Sequence, residues 1–330
     1  MKHNLPVAVI PVAGVGSRLR PHTHTVPKAL INVAGKAMVA HILDELIALG
    51  IREFVLVVGY MGDRVQAYVE KHYPDLEVHY VHQSKREGLG HAIHLTRETV
   101  GERDLLIVLG DTIFRVDFKG VLERRVSQIG VKEVADPRRF GIVEMDGGRV
   151  RRFVEKPEHP TSRLAIVGIY YLTDAPALFR TLAGMIDRKA TTRGEYQLTD
   201  ALQSMLEEDI PMEVFSVEGW YDCGKPETLL STNRELLDME ARSATIEGSV
   251  VIPPVAVDPQ AVVRGSIIGP YATVAARAVV ECSVIRNSIV NEGARVKDML
   301  LEGSLVGEDA VVEGSFRRLN VGDSSEIFLH

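Results

Sequence analysis

The sequence predicts an α/β protein: a mixed, mostly parallel sheet with helices on both faces, followed by a tail of short repeating strands. Three observations carry this. Continuous apolar runs of strand length alternate with segments of helical spacing. The first of those runs turns sharply through paired glycines, Gly14 and Gly16. From Ile246 onward, apolar residues return at steps near six with glycines between them. A chain of 330 residues suits two domains, expected over 1–240 and 245–330. Hydrophobic content of 45% and charged content of 25% are those of an ordinary soluble protein. The net charge of −7 argues against nucleic acid as a partner, since that needs a basic face. Two cysteines, Cys223 and Cys282, make neither a disulfide framework nor a metal cluster. No apolar run is long enough to span a membrane, and MKHNLP opens without a long apolar segment, so a cytoplasmic protein with no membrane partner is expected.

Val7 to Ile10 reads as a buried strand. Its glycine turn can leave backbone N–H groups facing an anion, and two cations follow, Arg18 and Lys28, in a loop stiffened by Pro21 and Pro27. Strand, glycine turn and fixed cations describe a polyphosphate site. Leu19 stands where a dinucleotide fingerprint needs its third glycine, and no Lys-Ser/Thr pair follows the last glycine, so neither nicotinamide nor Walker-type binding is expected. Met38 to Leu49 has helical spacing and stops at Gly50. Phe54 to Val58 reads as a strand, Met61 to Tyr73 as a helix, Glu77 to Val81 and Leu105 to Leu109 as strands. Ligands sit beyond the carboxyl ends of such strands, so the loops after Ile10, Val81 and Leu109 should share a cleft.

Gln83 lies in one of those loops, and its amide offers a donor and an acceptor to a pyrimidine edge. EGLGHAI, from Glu87 to Ile93, follows it with glycines that let a base approach the backbone. Asp111, at another strand end, suits Mg²⁺ beside phosphate oxygens; alone it could equally be a turn residue. Phe140 to Met145, Arg149 to Glu155 and Leu164 to Leu172 are strand-like, with Asp146-Gly147-Gly148 as a hairpin signal. Leu198, Leu202 and Met205 form a buried helical stripe, Trp220 reads as core packing, and Asn233 to Met239 as a helix end.

The string from Gly14 to Lys28, with Thr23 in place, resembles the signature of the sugar-phosphate nucleotidyltransferases, G-x-G-[ST]-R-L-x-P-x-T-x-x-x-P-K. Leu109-Gly110-Asp111, Gly141 in RFGIVE, Glu155-Lys156-Pro157, Gly168 in VGIYYLT, GEYQLTDAL and Trp220-x-Asp222-x-Gly224 extend the resemblance. It implies a Rossmann-like domain that joins an NTP to a sugar 1-phosphate, releasing pyrophosphate. Arg18 and Lys28 would be catalytic; Ala13, Gly14, Gly16, Gln83 and Gly88 would hold the nucleotide. Gly141, Glu155, Lys156, Gly168 and Glu195 would hold the sugar phosphate, and Asp111 and Asp222 would bind Mg²⁺ as the cofactor. His91-Ala92 after Gly-Leu-Gly leans toward UTP, with dTTP retained and glucose 1-phosphate as the first sugar. Departures from the family pattern fall at Val15, Ser17, Ala37 and Lys225, none of them a charged catalytic position.

In the tail, Ile268, Val274 and Val280 are six apart, as are Val290 and Val296, Val306 and Val312, and Val321 and Ile327. Gly265, Gly269, Gly293, Gly303, Gly307, Gly314 and Gly322 mark turns. This resembles the hexapeptide repeat of left-handed parallel β-helices, and implies a homo-oligomer, a trimer or higher; an irregular β-sandwich is the alternative. Acyl transfer, a second function of such helices, usually needs a histidine base, and between Ile246 and Leu329 there is none; His330 ends the chain. A non-catalytic nucleotide-sugar sensor is a third reading, disfavoured by the intact Arg18, Lys28, Asp111, Lys156 and Asp222.

Overall fold

The computed structural model describes residues 5–240 and 242–315. Among these, the first compact unit, which ends at Thr232, is built on a nine-stranded mixed sheet. Its strand order is Arg149–Glu155, Gly141–Asp146, Leu164–Leu172, Leu105–Val108, Val7–Pro11, Glu53–Val58 and Glu77–His82. Ser127–Glu133 also pairs with Leu164–Leu172, and Met212–Ser216 with Ser127–Glu133. The pairings among Leu105–Val108, Val7–Pro11, Glu53–Val58 and Glu77–His82 are all parallel, whereas Leu164–Leu172 joins antiparallel.

Continuous apolar runs form here because both sheet faces are covered. Val7 and Val9 belong to one core with residues of helices Ala175–Asp187 and Leu198–Glu207. Their neighbours Ala8 and Ile10 belong to the other, with helix Met38–Ala48 and Val65 and Val69 of helix Gly62–His72. The same alternation separates Leu105 and Ile107 from Leu106 and Val108. Leu198, Leu202 and Met205, the expected stripe, are buried in the first core. The strand expected over Leu105 to Leu109 ends at Val108, although Leu109 N still donates to Gly168 O of the antiparallel neighbour. Glu77–His82 lies at the end of the strand order, and its residues are half-buried or exposed rather than enclosed.

A separate two-stranded sheet matters more to function. Gly219–Asp222 pairs antiparallel with Thr112–Arg115, with Asp222 opposite Thr112.

The second unit begins at Asn233, within helix Pro226–Glu240. It contains three parallel sheets of four short strands each among the described residues. This is the coil repeat of a β-helix, matching the left-handed type the hexapeptide pattern implies. Val250, Ile267, Val284 and Leu300 stand in register along one sheet. Successive coils are offset by 17 and then 16 residues, so one or two sides of each triangle carry five residues, not six. That accounts for the imperfect sequence period. Ile268, Val274, Val280, Val290, Val296 and Val306 fill the interior. Ser266 Oγ accepts from Ser283 N at 3.1 Å, and Ser283 Oγ from Met299 N at 3.0 Å, so stacked serines tie coil to coil. Val321, Ile327, Gly322 and His330 lie outside the described residues.

The two cysteines provide a check on the fold. Cys223 is fully enclosed, and burial pushes its thiol up to about 12, while Cys282 is exposed. At pH 8 one thiol per native chain should react with Ellman's reagent, and two after denaturation. Two fast thiols in the native protein would contradict the enclosure of Cys223.

Candidate active site

The chain leaves strand Val7–Pro11 into the glycine turn. Gly16 has φ +67°, and a Cβ there would come within 3.0 Å of Lys28 Cβ and of Thr23 Cγ2. Glycine is therefore required by both backbone and space. The buried Thr23 hydroxyl donates to Gly16 O at 2.9 Å and closes the turn. Ala13 is buried, whereas nothing lies within 4 Å of a Cβ built on Gly14, so the turn is open to a ligand there.

The same folding delivers Lys28, buried at 8% exposure, to Asp111: Nζ donates to Oδ2 at 2.7 Å. The Asp111 side chain keeps 45% exposure. Desolvation opposes its charge, but Lys28, the Thr112 hydroxyl and Arg18 outweigh that and hold the carboxyl below its usual range. Asp111 is thus a carboxylate at neutral pH, with an open side.

Asp222 is brought in by the short sheet. Its register opposite Thr112 places it one residue along from Asp111's position. Gly224 N donates to Asp222 Oδ1 at 2.8 Å and orients the carboxylate. A Cβ built on Gly224 would lie 2.8 Å from Asp222 Oδ1 and 2.9 Å from Arg18 Nη2, so the guanidinium sits close to the second acid. Arg18, Lys28, Asp111 and Asp222 form one cluster of two cations and two anions. Two carboxylates with hard oxygen donors and an accessible side fit Mg²⁺ in chemistry and placement.

A cavity of about 620 Å³ opens beside this cluster. Arg18, Asp111 and Asp222 line it together with Gly141, Glu155, Lys156, Gly168 and Glu195. Glu155, with 7% side-chain exposure, accepts from Thr199 Oγ1 at 2.8 Å and from Lys156 Nζ at 2.7 Å. It is held inside the wall and in turn holds Lys156. Lys156 has φ +42°, uncommon for a non-glycine residue, and is fixed by Lys156 N to Phe140 O at 3.1 Å and by Arg193 Nη2 to its own carbonyl at 2.9 Å. Glu195 Oε2 accepts from Gln197 Nε2 at 3.1 Å. Trp220 packs on the core and edge-on to Phe140, with centroids 4.8 Å apart, so its ring serves both the core and the cavity wall.

Arg193, Thr199 and Gln197 escaped sequence reasoning. Each lies beside a recognised residue of the GEYQLTD segment, and only their contacts reveal what they do. Arg138 and Arg139 also reach the cavity, but Asp136 holds Arg138 through both oxygens, at 2.7 and 2.8 Å.

Gln83, Gly88, Lys28 and the turn from Ala13 to Gly16 are not in the lining of this cavity. Lys28 is joined to it by Asp111, and Gly88 by Leu89, which is in the wall. Gly88 has φ +106°, and a Cβ there would fall 2.6 Å from Tyr196 O. Tyr196 N donates to Glu87 O at 2.8 Å, and Gly90 N to Tyr196 O at 2.7 Å. The loop from Glu87 to Gly90 and the segment around Tyr196 are thereby locked to each other. Away from the site, Glu53, Glu77 and His79 also converge, but Arg103 grips both Glu53 oxygens at 2.5 and 2.6 Å.

This glycine turn, acid pair and polar cavity are the parts expected of a nucleotide-transferring enzyme. Residues 7–239 match the family profile described as Nucleotidyl transferase, and the chain belongs to that family. A glucose-1-phosphate thymidylyltransferase of Streptomyces antibioticus is 31% identical over 97% of this chain and 83% of its own. The low-salt glycan biosynthesis nucleotidyltransferase Agl11 of Haloferax volcanii is 35% identical over 72% of this chain and 67% of its own. A solved UDP-glucose pyrophosphorylase complexed with UDP-glucose shares the fold at TM-score 0.63 and 23% identity, covering 72% of this chain and 100% of that one. The protein is a sugar-phosphate nucleotidyltransferase.

Gly88→Ala should test the lock between the two loops. The forced contact with Tyr196 and the left-handed backbone predict a loss of about 2–3 kcal/mol in urea-unfolding stability. A loss below about 0.5 kcal/mol would mean the loop shifts freely.

Proposed function

We propose that the protein makes an NDP-glucose from UTP or dTTP and glucose 1-phosphate. The observation that carries the reading is the Arg18, Lys28, Asp111, Asp222 cluster at the mouth of a cavity lined by Glu155, Lys156 and Glu195. A sugar-phosphate oxygen attacks the α-phosphorus in line, the bond to the β-phosphate oxygen breaks, and pyrophosphate leaves. No covalent enzyme intermediate is needed, so the protein contributes positioning and charge neutralisation.

Arg18 and Lys28 neutralise charge on the α-phosphate and the departing pyrophosphate. Lys156, steadied by Glu155, holds the attacking phosphate as a point charge. Glu195 accepts hydrogen bonds from sugar hydroxyls, while Gly141 and Gly168 let the sugar approach the backbone. The turn from Ala13 through Gly14 to Gly16 cradles the triphosphate, and Gln83 and Gly88 receive the base. Asp111 and Asp222 would hold Mg²⁺, which would supply positive charge to offset the charge developing on the phosphates.

Self-association through the β-helix belongs to the same reading. Val250, Ile267 and Leu300, at 57%, 37% and 80% exposure, make an outward apolar row in register on one flat sheet. Such a row is characteristic of a buried interface.

With Mg²⁺, pyrophosphate release should require both UTP or dTTP and glucose 1-phosphate. Arg18→Ala should lower kcat about 100-fold with KM little changed, as for loss of one transition-state donor. Unchanged turnover in that variant would remove Arg18 from catalysis. By light scattering the wild type should be an oligomer, and Leu300→Glu should shift it toward monomer; a monomeric wild type would end the self-association proposal.

A further inference from the structure

One contact in the base-side loop is not used by this reaction scheme. Gln83, with only 7% exposure, donates through Nε2 to Gly88 O at 3.0 Å. The same Nε2 lies 3.3 Å from His91 Nδ1. On the far side of the ring, His91 Nε2 lies 3.6 Å from Glu87 Oε2, four residues earlier in the chain.

The chemistry of these partners fixes the hydrogens. A backbone carbonyl only accepts, so the Gln83 atom facing Gly88 is the NH₂ group. The imidazole nitrogen facing that NH₂ must then present a lone pair. This leaves the His91 proton on Nε2, directed toward the Glu87 carboxylate. Imidazole and amide orient one another, as outer partners orient ligands elsewhere, with the Glu87 carboxylate near the far side of the ring. Both of these contacts of the Gln83 side chain use Nε2. The carbonyl Oε1 is the atom left for a ligand.

We infer that His91 is a positioning residue that holds the Gln83 amide with its oxygen toward the base, and so selects uracil or thymine over cytosine. Uracil and thymine carry N3–H, which donates to an oxygen. Cytosine carries a bare N3, which that oxygen repels. Turning the amide over would set Oε1 against the obligate acceptor Gly88 O, and would require the His91 proton to move from Nε2 to Nδ1, away from the Glu87 carboxylate. This inference rests on the pyrimidine-nucleotide reading above.

The test compares kcat/KM for UTP and CTP, with Mg²⁺ and glucose 1-phosphate, in the wild type, His91→Phe and His91→Asn. Phenylalanine removes the acceptor; asparagine places an amide oxygen near the position of Nδ1. The UTP:CTP ratio should fall about five- to tenfold in His91→Phe, the value of one net hydrogen bond, through a raised KM for UTP with kcat nearly kept. It should return to within about twofold of wild type in His91→Asn. An unchanged ratio in His91→Phe, or an equal fall in both variants, overturns the role of His91. A wild type that turns over UTP but fails this comparison overturns only that role; a wild type that turns over no pyrimidine triphosphate overturns the nucleotide reading as well. A measurement without any variant stands beside it: the imidazole ¹⁵N–¹H spectrum of the wild type should show His91 with its proton on Nε2, and a proton on Nδ1 would overturn the inference.

Discussion

The antiparallel pairing of Gly219–Asp222 with Thr112–Arg115 is the constraint on which the site depends. It is a short ladder of four residue pairs, yet it sets Asp222 beside the position of Asp111. Without it, one acid would end a strand and the other would begin a distant loop. The strand beneath, Leu105–Val108, is enclosed on both faces, so Asp111 is presented from a rigid base. Gly224 N then fixes the orientation of the Asp222 carboxylate. Rigid elements carry the acids, and the turns between them carry the cations Arg18 and Lys28.

The electrostatics follow from that placement. Two carboxylates brought together would repel one another and take up protons. Lys28 and Arg18 prevent this, and the outcome is visible in Asp111, whose charge is retained despite desolvation. The resting site therefore balances its own charge. Its two cations are held in place by the fold itself, with no rearrangement needed to bring them beside the acids.

Two loops at the site are tied through the backbone. Tyr196 pairs with Glu87 and Gly90, while its neighbour Glu195 lines the cavity. A shift in the loop from Glu87 to Gly90 is therefore felt at Glu195 and Tyr196. In the cavity wall, Glu155, Thr199, Lys156 and Arg193 brace one another, so the strained Lys156 backbone persists because several bonds converge on it.

The sequence by itself determined the alternation of strands and helices, the turn through Gly14 and Gly16, and the coil repeat of the tail. Each depends on local rules: period, positive-φ glycines, and apolar residues returning once per side of a triangle. Its reading of Leu198, Leu202 and Met205 as a buried stripe holds, because helical spacing survives in any tertiary setting. Tertiary structure alone decided which strands run antiparallel, where Leu105–Val108 stops, and why coils of 17 and 16 residues blur the period of six. It also decided that Lys28 meets Asp111, that Arg193 braces Lys156, and that His91 touches Gln83. Such contacts join residues whose separation in the chain has no period. They arise from strand order and loop closure, which no local pattern encodes.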